Sequence, residues 1–225
     1  TRSMLAMGGH LTGFSTVNYV ARNADNVLIG RWWGPGELGF YSRAYQLLLL
    51  PLQQINSPIS SVAIPTLSRL QRDPARFRSF YLRALGLVAA VTMPLVFLMV
   101  VLSQEIVRIV LGPQWDYSAA LFRLLAVAMI VQPTCSTAGW IYVSLGRTDR
   151  MSRWGLFYSA LVLASFFAGI SHGASGVATC YSAAMLLQAV PCLWFATRGT
   201  TLTRSDIGAT LARPLRAHRP AGRTI

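Results

Sequence analysis

Long apolar stretches separated by short polar ones run through the whole chain. Six of them, Met4–Ile29, Tyr41–Ser68, Phe80–Leu102, Tyr117–Leu145, Met151–Ile170 and Ala174–Thr197, reach the roughly 20 residues that a helix needs to cross a hydrocarbon core of about 30 Å. Backbone in lipid must satisfy its own N–H and C=O groups, so these stretches predict helices. The alternating ten-residue segments of a membrane barrel are absent. The pattern predicts an all-α, polytopic membrane helix bundle of six transmembrane helices over residues 1–200. A basic, Pro-rich tail over 201–225 is expected to be disordered.

Charge follows the same rhythm. All twenty basic residues are Arg, and they cluster in every second gap between spans. Fifteen lie on the side of the N-terminus: Arg2, five in the 69–83 segment, three at 147–153, and six from Arg198 onward. Only Arg31, Arg43 and Arg108 fall in the opposite gaps. Positive charge is retained on the cytoplasmic side, so both termini are expected there, in a multi-pass membrane protein. The net charge of +13 would otherwise raise nucleic acid as a partner. Its placement at the ends of apolar runs, with no basic face between them, argues against one. A composition of 53% hydrophobic and 12% charged residues also exceeds what an ordinary globular domain carries. Cys135, Cys180 and Cys192 sit inside apolar runs without metal-ligand spacing and read as small buried residues. The chain opens at Thr1 with no signal-peptide pattern, and is expected to be a piece of something longer.

Within the spans a few residues stand out. Asn18, Arg22 and Asp25 share one helical face, which His10 and Phe14 extend. An ionisable side chain inside a membrane costs about 2.5–3.5 kcal/mol on insertion scales and normally faces a bundle interior or a watery cavity. Either Arg22 and Asp25 neutralise each other within the helix, or Arg22 binds an anionic substrate such as a phosphate. Asp25 could also sit at the interface, one turn from the end of its span. Arg123, two turns into span four, either snorkels to the outer surface or adds a second positive charge to a cavity. Span two carries Pro51, Pro58 and Pro65 at a seven-residue spacing, with Gln53, Gln54, Asn56 and Ser57 among them. That reads as a bent packing helix or a flexible element lining a cavity. Span five carries small residues at Ala160, Ala164 and Ala168 and at Ser165, Gly169 and Gly173, a pattern that lets another helix approach closely.

Gly34-Pro35-Gly36-Glu37-Leu38-Gly39 fits G-x-G-x-x-G, but it falls in a short turn between spans and lacks the strand that a dinucleotide site needs. With no Lys there is no Walker A motif. His10, His172 and His218 are scattered, and the seven acidic residues are spread singly along the chain. No cofactor, metal or catalytic residue is therefore assigned.

Asn23-Ala24-Asp25-Asn26 with Gly30-Arg31, then Leu38-Gly39-Phe40-Tyr41-Ser42-Arg43-Ala44-Tyr45, Pro65-Thr66-Leu67-Ser68-Arg69-Leu70-Gln71, Leu111-Gly112-Pro113-Gln114-Trp115 and Gly146-Arg147-Thr148-Asp149 together resemble the Wzx-type polysaccharide flippases. These belong to the multidrug/oligosaccharidyl-lipid/polysaccharide exporter superfamily. The resemblance extends to about Asp206. It implies one six-helix lobe of a two-lobe flippase that moves undecaprenyl-pyrophosphate-linked oligosaccharide across the inner membrane for exopolysaccharide or lipopolysaccharide assembly. The partners it implies are the lipid-linked oligosaccharide, the bilayer and an N-terminal lobe absent from this sequence. It also implies a basic cavity, with Arg22 as the residue for pyrophosphate and Asn18, Asp25 and Arg123 as lesser candidates. A membrane-embedded polymerase or ligase of the same pathway, and an inert truncated fragment, remain as alternatives.

Overall fold

The computed structural model describes residues 23–200 and 202–212. Helices α1 (Ala24–Trp32), α2 (Gly34–Arg69), α3 (Pro74–Val101), α4 (Ser103–Val110), α5 (Asp116–Ser144), α6 (Thr148–Gly169), α7 (Gly173–Thr197) and α8 (Arg204–Ala212) follow one another. Short 3-10 turns at Pro113–Trp115 and Ile170–His172 precede α5 and α7. The stretches Gly34–Arg69, Pro74–Val101, Pro113–Ser144 and Asp149–Thr197 are long and apolar enough to cross a membrane, and the last doubles back on itself between α6 and α7. The molecule is an all-α membrane bundle. Spans two to six each correspond to one long helix; span one is described only from Asn23 onward.

Helix boundaries differ from the apolar runs where end chemistry extends a helix into polar sequence. Residues 34–39, expected as a turn, form the first turns of α2. Gly34 adopts φ +84° and breaks the chain after α1. Pro35 then stands in the first turn, where its missing N–H costs no hydrogen bond. Similarly, Asp73 caps α3 by accepting the Arg76 backbone N–H at 3.1 Å, with Pro74 as the first residue. The three prolines do not interrupt α2, which runs unbroken past Pro51, Pro58 and Pro65. Residues 103–110, expected as loop, form the amphipathic α4, which buries Ser103 and Val107 and leaves Arg108 paired to Asp116 by two 2.9 Å bonds.

The expectation of a disordered tail from residue 201 fails for 202–212. Leu202 and Ile207 are buried, and Asp206 accepts two bonds from the Arg78 guanidinium, at 2.9 and 2.5 Å. Tertiary contact with α3 gives this segment an apolar face to bury that its own composition does not reveal. Residues 213–225 lie outside the described part.

Interactions at the helix ends sort the loops into two groups. At one end Arg147 donates to the carbonyls of Arg198 and Gly199, at 2.9 and 2.8 Å, and Arg150 to that of Arg198 at 2.8 Å. The Gln71 amide bonds the Ser144 carbonyl there as well. At the other end Trp33 Nε1 donates to the Ile170 carbonyl at 2.6 Å, Ser118 Oγ to that of Phe40 at 2.9 Å, and Phe40 meets Trp115 edge to face. Every second loop thus shares an end of the bundle, and the Arg-rich ones share theirs.

Two apolar cores fill the interior. The one nearer the Trp33 end holds Tyr41, Leu48, Leu52, Phe122, Met129 and Tyr181. The one at the Arg-rich end holds Leu67, Tyr81, Leu85, Trp140, Ile141 and Cys192. The long helices pass from one core to the other, and on α2 and α5 the crossing carries polar residues.

Candidate functional site

That crossing supplies the site. Along α2 the first core ends at Leu52 and the second begins at Ala63; along α5 they are divided by residues 130–137. Gln53 and Asn56 on α2, Gln132 and Ser136 on α5, and Tyr158 and Ser159 on α6 fall in these gaps and line one cavity of about 460 Å³. Each lies near the middle of its helix. Six polar side chains at one depth, on three helices, place an opening at the centre of the bundle, where membrane transporters hold their cargo.

Asp25 reaches this cavity from α1. Its carboxylate is 4% exposed and accepts the Tyr41 hydroxyl at 3.0 Å on one oxygen and the Asn26 backbone N–H at 2.8 Å on the other. No salt bridge to it forms among the described residues. Asp25 is thus enclosed by protein at the edge of the cavity. Its pairing with Arg22 cannot be placed, because Arg22 and Asn18 lie outside the described residues.

Aromatic rings complete the wall. Tyr41 stacks on Tyr45 with ring centres 6.2 Å apart, Tyr45 meets Tyr181 edge to face at 6.4 Å, and Tyr181 lies 5.7 Å from Phe166. The Asn56 side-chain oxygen is buried with no hydrogen-bond partner among the described residues. A buried acceptor without a partner costs about 1–3 kcal/mol, so it is suited to receive a donor from a bound molecule. Acceptors, amides, hydroxyls and flat ring faces together fit a hydroxylated ligand, which offers O–H donors at its rim and C–H surface on its faces.

Arg123 is elsewhere. It is exposed on α5, its Nε donates to the buried Ser103 hydroxyl at 2.6 Å, and it is not among the residues lining the cavity. Of the four residues singled out from sequence, the described part therefore brings only Asp25 to the cavity. Gln53 and Asn56 belong to the span read as either a bent packing helix or a flexible element lining a cavity, and they line this one. Tyr41, Tyr45, Gln132, Ser136, Tyr158 and Tyr181 were missed. A signal existed for Gln132, Ser136 and Tyr158, which lie near the middle of their helices, and comparing depth across helices would have aligned them with Gln53 and Asn56.

Residues 1–120 match the family described as polysaccharide biosynthesis protein. The chain is 27% identical over 172 residues to the teichuronic acid biosynthesis protein TuaB of Bacillus subtilis, covering 76% of this chain and 36% of that protein. It is 26% identical over 174 residues to the lipopolysaccharide biosynthesis protein WzxC of Escherichia coli, covering 77% of this chain and 35% of that one. With the amylovoran biosynthesis protein AmsL of Erwinia amylovora it shares 28% identity, over 72% of this chain and 42% of the relative. The chain thus spans between a third and a half of the length of these relatives. Among solved structures, the lipid II flippase MurJ in its inward closed conformation superimposes with a TM-score of 0.69 at 18% identity, over 88% of this chain and 43% of that chain. That likeness shows a shared fold.

Proposed function

The chain belongs to the polysaccharide biosynthesis protein family, and from that premise we propose that it is one lobe of a membrane flippase for lipid-linked oligosaccharide. The resemblance to Wzx-type flippases read from the sequence agrees with this membership and with the relatives named above. The substrate is undecaprenyl-pyrophosphate-linked oligosaccharide, carried from the inner to the outer leaflet of the bacterial inner membrane. Both termini of the lobe face the cytoplasm, the side that receives the Arg-rich end of the bundle. A second, N-terminal lobe completes the transporter, consistent with the partial coverage of every relative.

The observation that carries the reading is the mid-bundle cavity with buried Asp25 at its edge. Its lining of carboxylate, amides, hydroxyls and tyrosine faces suits sugar hydroxyls, and the pyrophosphate falls to Arg22, three residues before Asp25 in the sequence. Asn18 assists Arg22 in this proposal, and Arg123 contributes positive charge nearer the outer surface. Transport then proceeds by alternating access, two lobes rocking about this depth.

The test replaces Arg22 by Ala, and separately Asp25 by Asn, in the full-length protein. Surface polysaccharide should disappear while protein level and membrane insertion stay normal. Wild-type polysaccharide output in both variants would sink the assignment of the site.

A further inference from the structure

On the flank of the bundle α2 and α3 part to leave an apolar groove of about 500 Å³, lined by Pro58, Val62 and Ala63 from α2 and by Phe80, Ala84 and Leu87 from α3. Val62 and Leu87 are 64% and 56% exposed, so the groove opens outward. One charged residue lines it, Arg83. On its other side Arg83 borders a second recess of about 630 Å³ between α3 and α8, where Leu82 and Ala209 alternate with Ser79, Thr210 and the Arg78–Asp206 ion pair, which leaves that carboxylate neutralised. Arg83 therefore stands between an apolar slot and a mixed one that carries hydroxyls and an ion pair.

Its charge is unmatched. Arg76, Arg78 and Arg108 each have an aspartate partner, at 3.3, 2.5 and 2.9 Å. Arg83 has no ion pair among the described residues, although it lies three residues inside the span that begins at Phe80. A guanidinium at that depth runs its stem along apolar surface and seeks an anion at the interface. We propose that this pair of recesses is a binding site for a resident anionic phospholipid. One acyl chain lies in the α2–α3 groove, and the headgroup phosphate sits on Arg83 beside the α3–α8 recess.

Charge complementarity favours this occupant, and so does shape. The lining spans only residues 58–63 and 80–87, roughly 10 Å at 1.5 Å per residue, which matches the upper part of an acyl chain. The groove shares no lining residue with the Asp25 cavity, so it is separate from the proposed transport site.

The test is native mass spectrometry of the full-length protein, released from nanodiscs of phosphatidylcholine with or without phosphatidylglycerol. Wild type should retain phosphatidylglycerol at least tenfold over phosphatidylcholine. Arg83→Gln should lose that preference, Ala84→Trp should lose retention altogether, and Arg72→Ala, which removes an exposed charge from the same end without touching either recess, should behave as wild type. Thermal melts of each variant establish that it is folded; if Ala84→Trp melts early, Val62→Trp fills the same groove from the other helix. Unchanged retention in Arg83→Gln overturns the proposal, as does an equal loss in Arg72→Ala. Displacement of phosphatidylglycerol by a polyprenyl phosphate would also overturn it, assigning the groove to the transported lipid.

Discussion

Gly169 allows a sharp test of how the cavity wall is built. It ends α6, and α7 begins four residues later after the turn Ile170–His172, so the two helices touch backbone to backbone. A Cβ at Gly169 would lie 2.5 Å from the Gly176 carbonyl oxygen, 2.6 Å from its carbon and 2.7 Å from Val177 N. Non-bonded contacts of this kind settle near 3.5 Å or beyond, so Gly169→Ala must separate the helices by about 1 Å. The obstacle is backbone, and the short turn cannot hinge freely. Overpacking ordinarily costs about 1–3 kcal/mol, and this case belongs at the upper end. For a unit of this size about 3 kcal/mol corresponds to a fall of roughly 6–12 °C in Tm.

With the partly exposed Cys135 and Cys180 replaced by Ala in every protein compared, Cys192, only 2% exposed, serves as the reporter, because a fluorogenic thiol dye gains access to it when the bundle opens. Gly139→Ala on α5 is the control: nothing lies within 4 Å of its Cβ position, so Tm should hold or rise slightly, by up to about 1 kcal/mol of helix propensity. Since α6 and α7 carry Phe166 and Tyr181, the wedge should also lower transport. A Gly169→Ala variant melting within about 1 °C of wild type would refute the reasoning, and so would an equal loss in Gly139→Ala.

Three further outcomes are expected. Tyr41→Phe removes the hydroxyl that Asp25 accepts at 3.0 Å, leaving a buried carboxylate short of a donor; about 1–3 kcal/mol of stability should be lost in the same thiol melt, and no change would mean the bond carries no weight. Arg147→Ala frees the Gly199 carbonyl and leaves that of Arg198 to Arg150 alone, at a cost of about 1 kcal/mol, and limited proteolysis should cut near Gly199 faster than in wild type. The Arg78 guanidinium, then the Thr203 hydroxyl and backbone N–H, hold Asp206 well below the usual carboxylate range. Its folded value is depressed, so docking of α8 should be fully present above the ordinary carboxylate pKa and lost only as pH falls below it. Hydrogen exchange of residues 204–212 in Asp206→Asn should already be fast at neutral pH; equal exchange in both proteins would dismiss this ion pair as the clasp.

The sequence by itself determined the membrane class, the succession of long helices and the grouping of loops, because each rests on local composition. Twenty apolar residues must span as helix wherever they are placed, and Arg-rich gaps alternate whatever the helices touch. Family resemblance was legible for a similar reason, being carried by ordered short motifs. What the alternation could not reveal is that some of its arginines also fasten the fold, as Arg78 does on Asp206 and Arg147 on the end of α7. Nor could it foresee α8, since Leu202 and Ile207 gain their burial from α3, more than a hundred residues earlier in the chain.

Only the tertiary structure assembled the cavity. Asp25, Gln53, Gln132 and Tyr158 belong to four different helices and meet because their depths in the bundle coincide. Depth is set by where each helix starts, and α2 starts seven residues before its apolar run through Gly34 and Pro35. A pattern along one helix fixes which face is polar. Where that face arrives depends on how the helices pack, and a contact such as Gly169 on Gly176 decides that packing at the scale of a single methyl group.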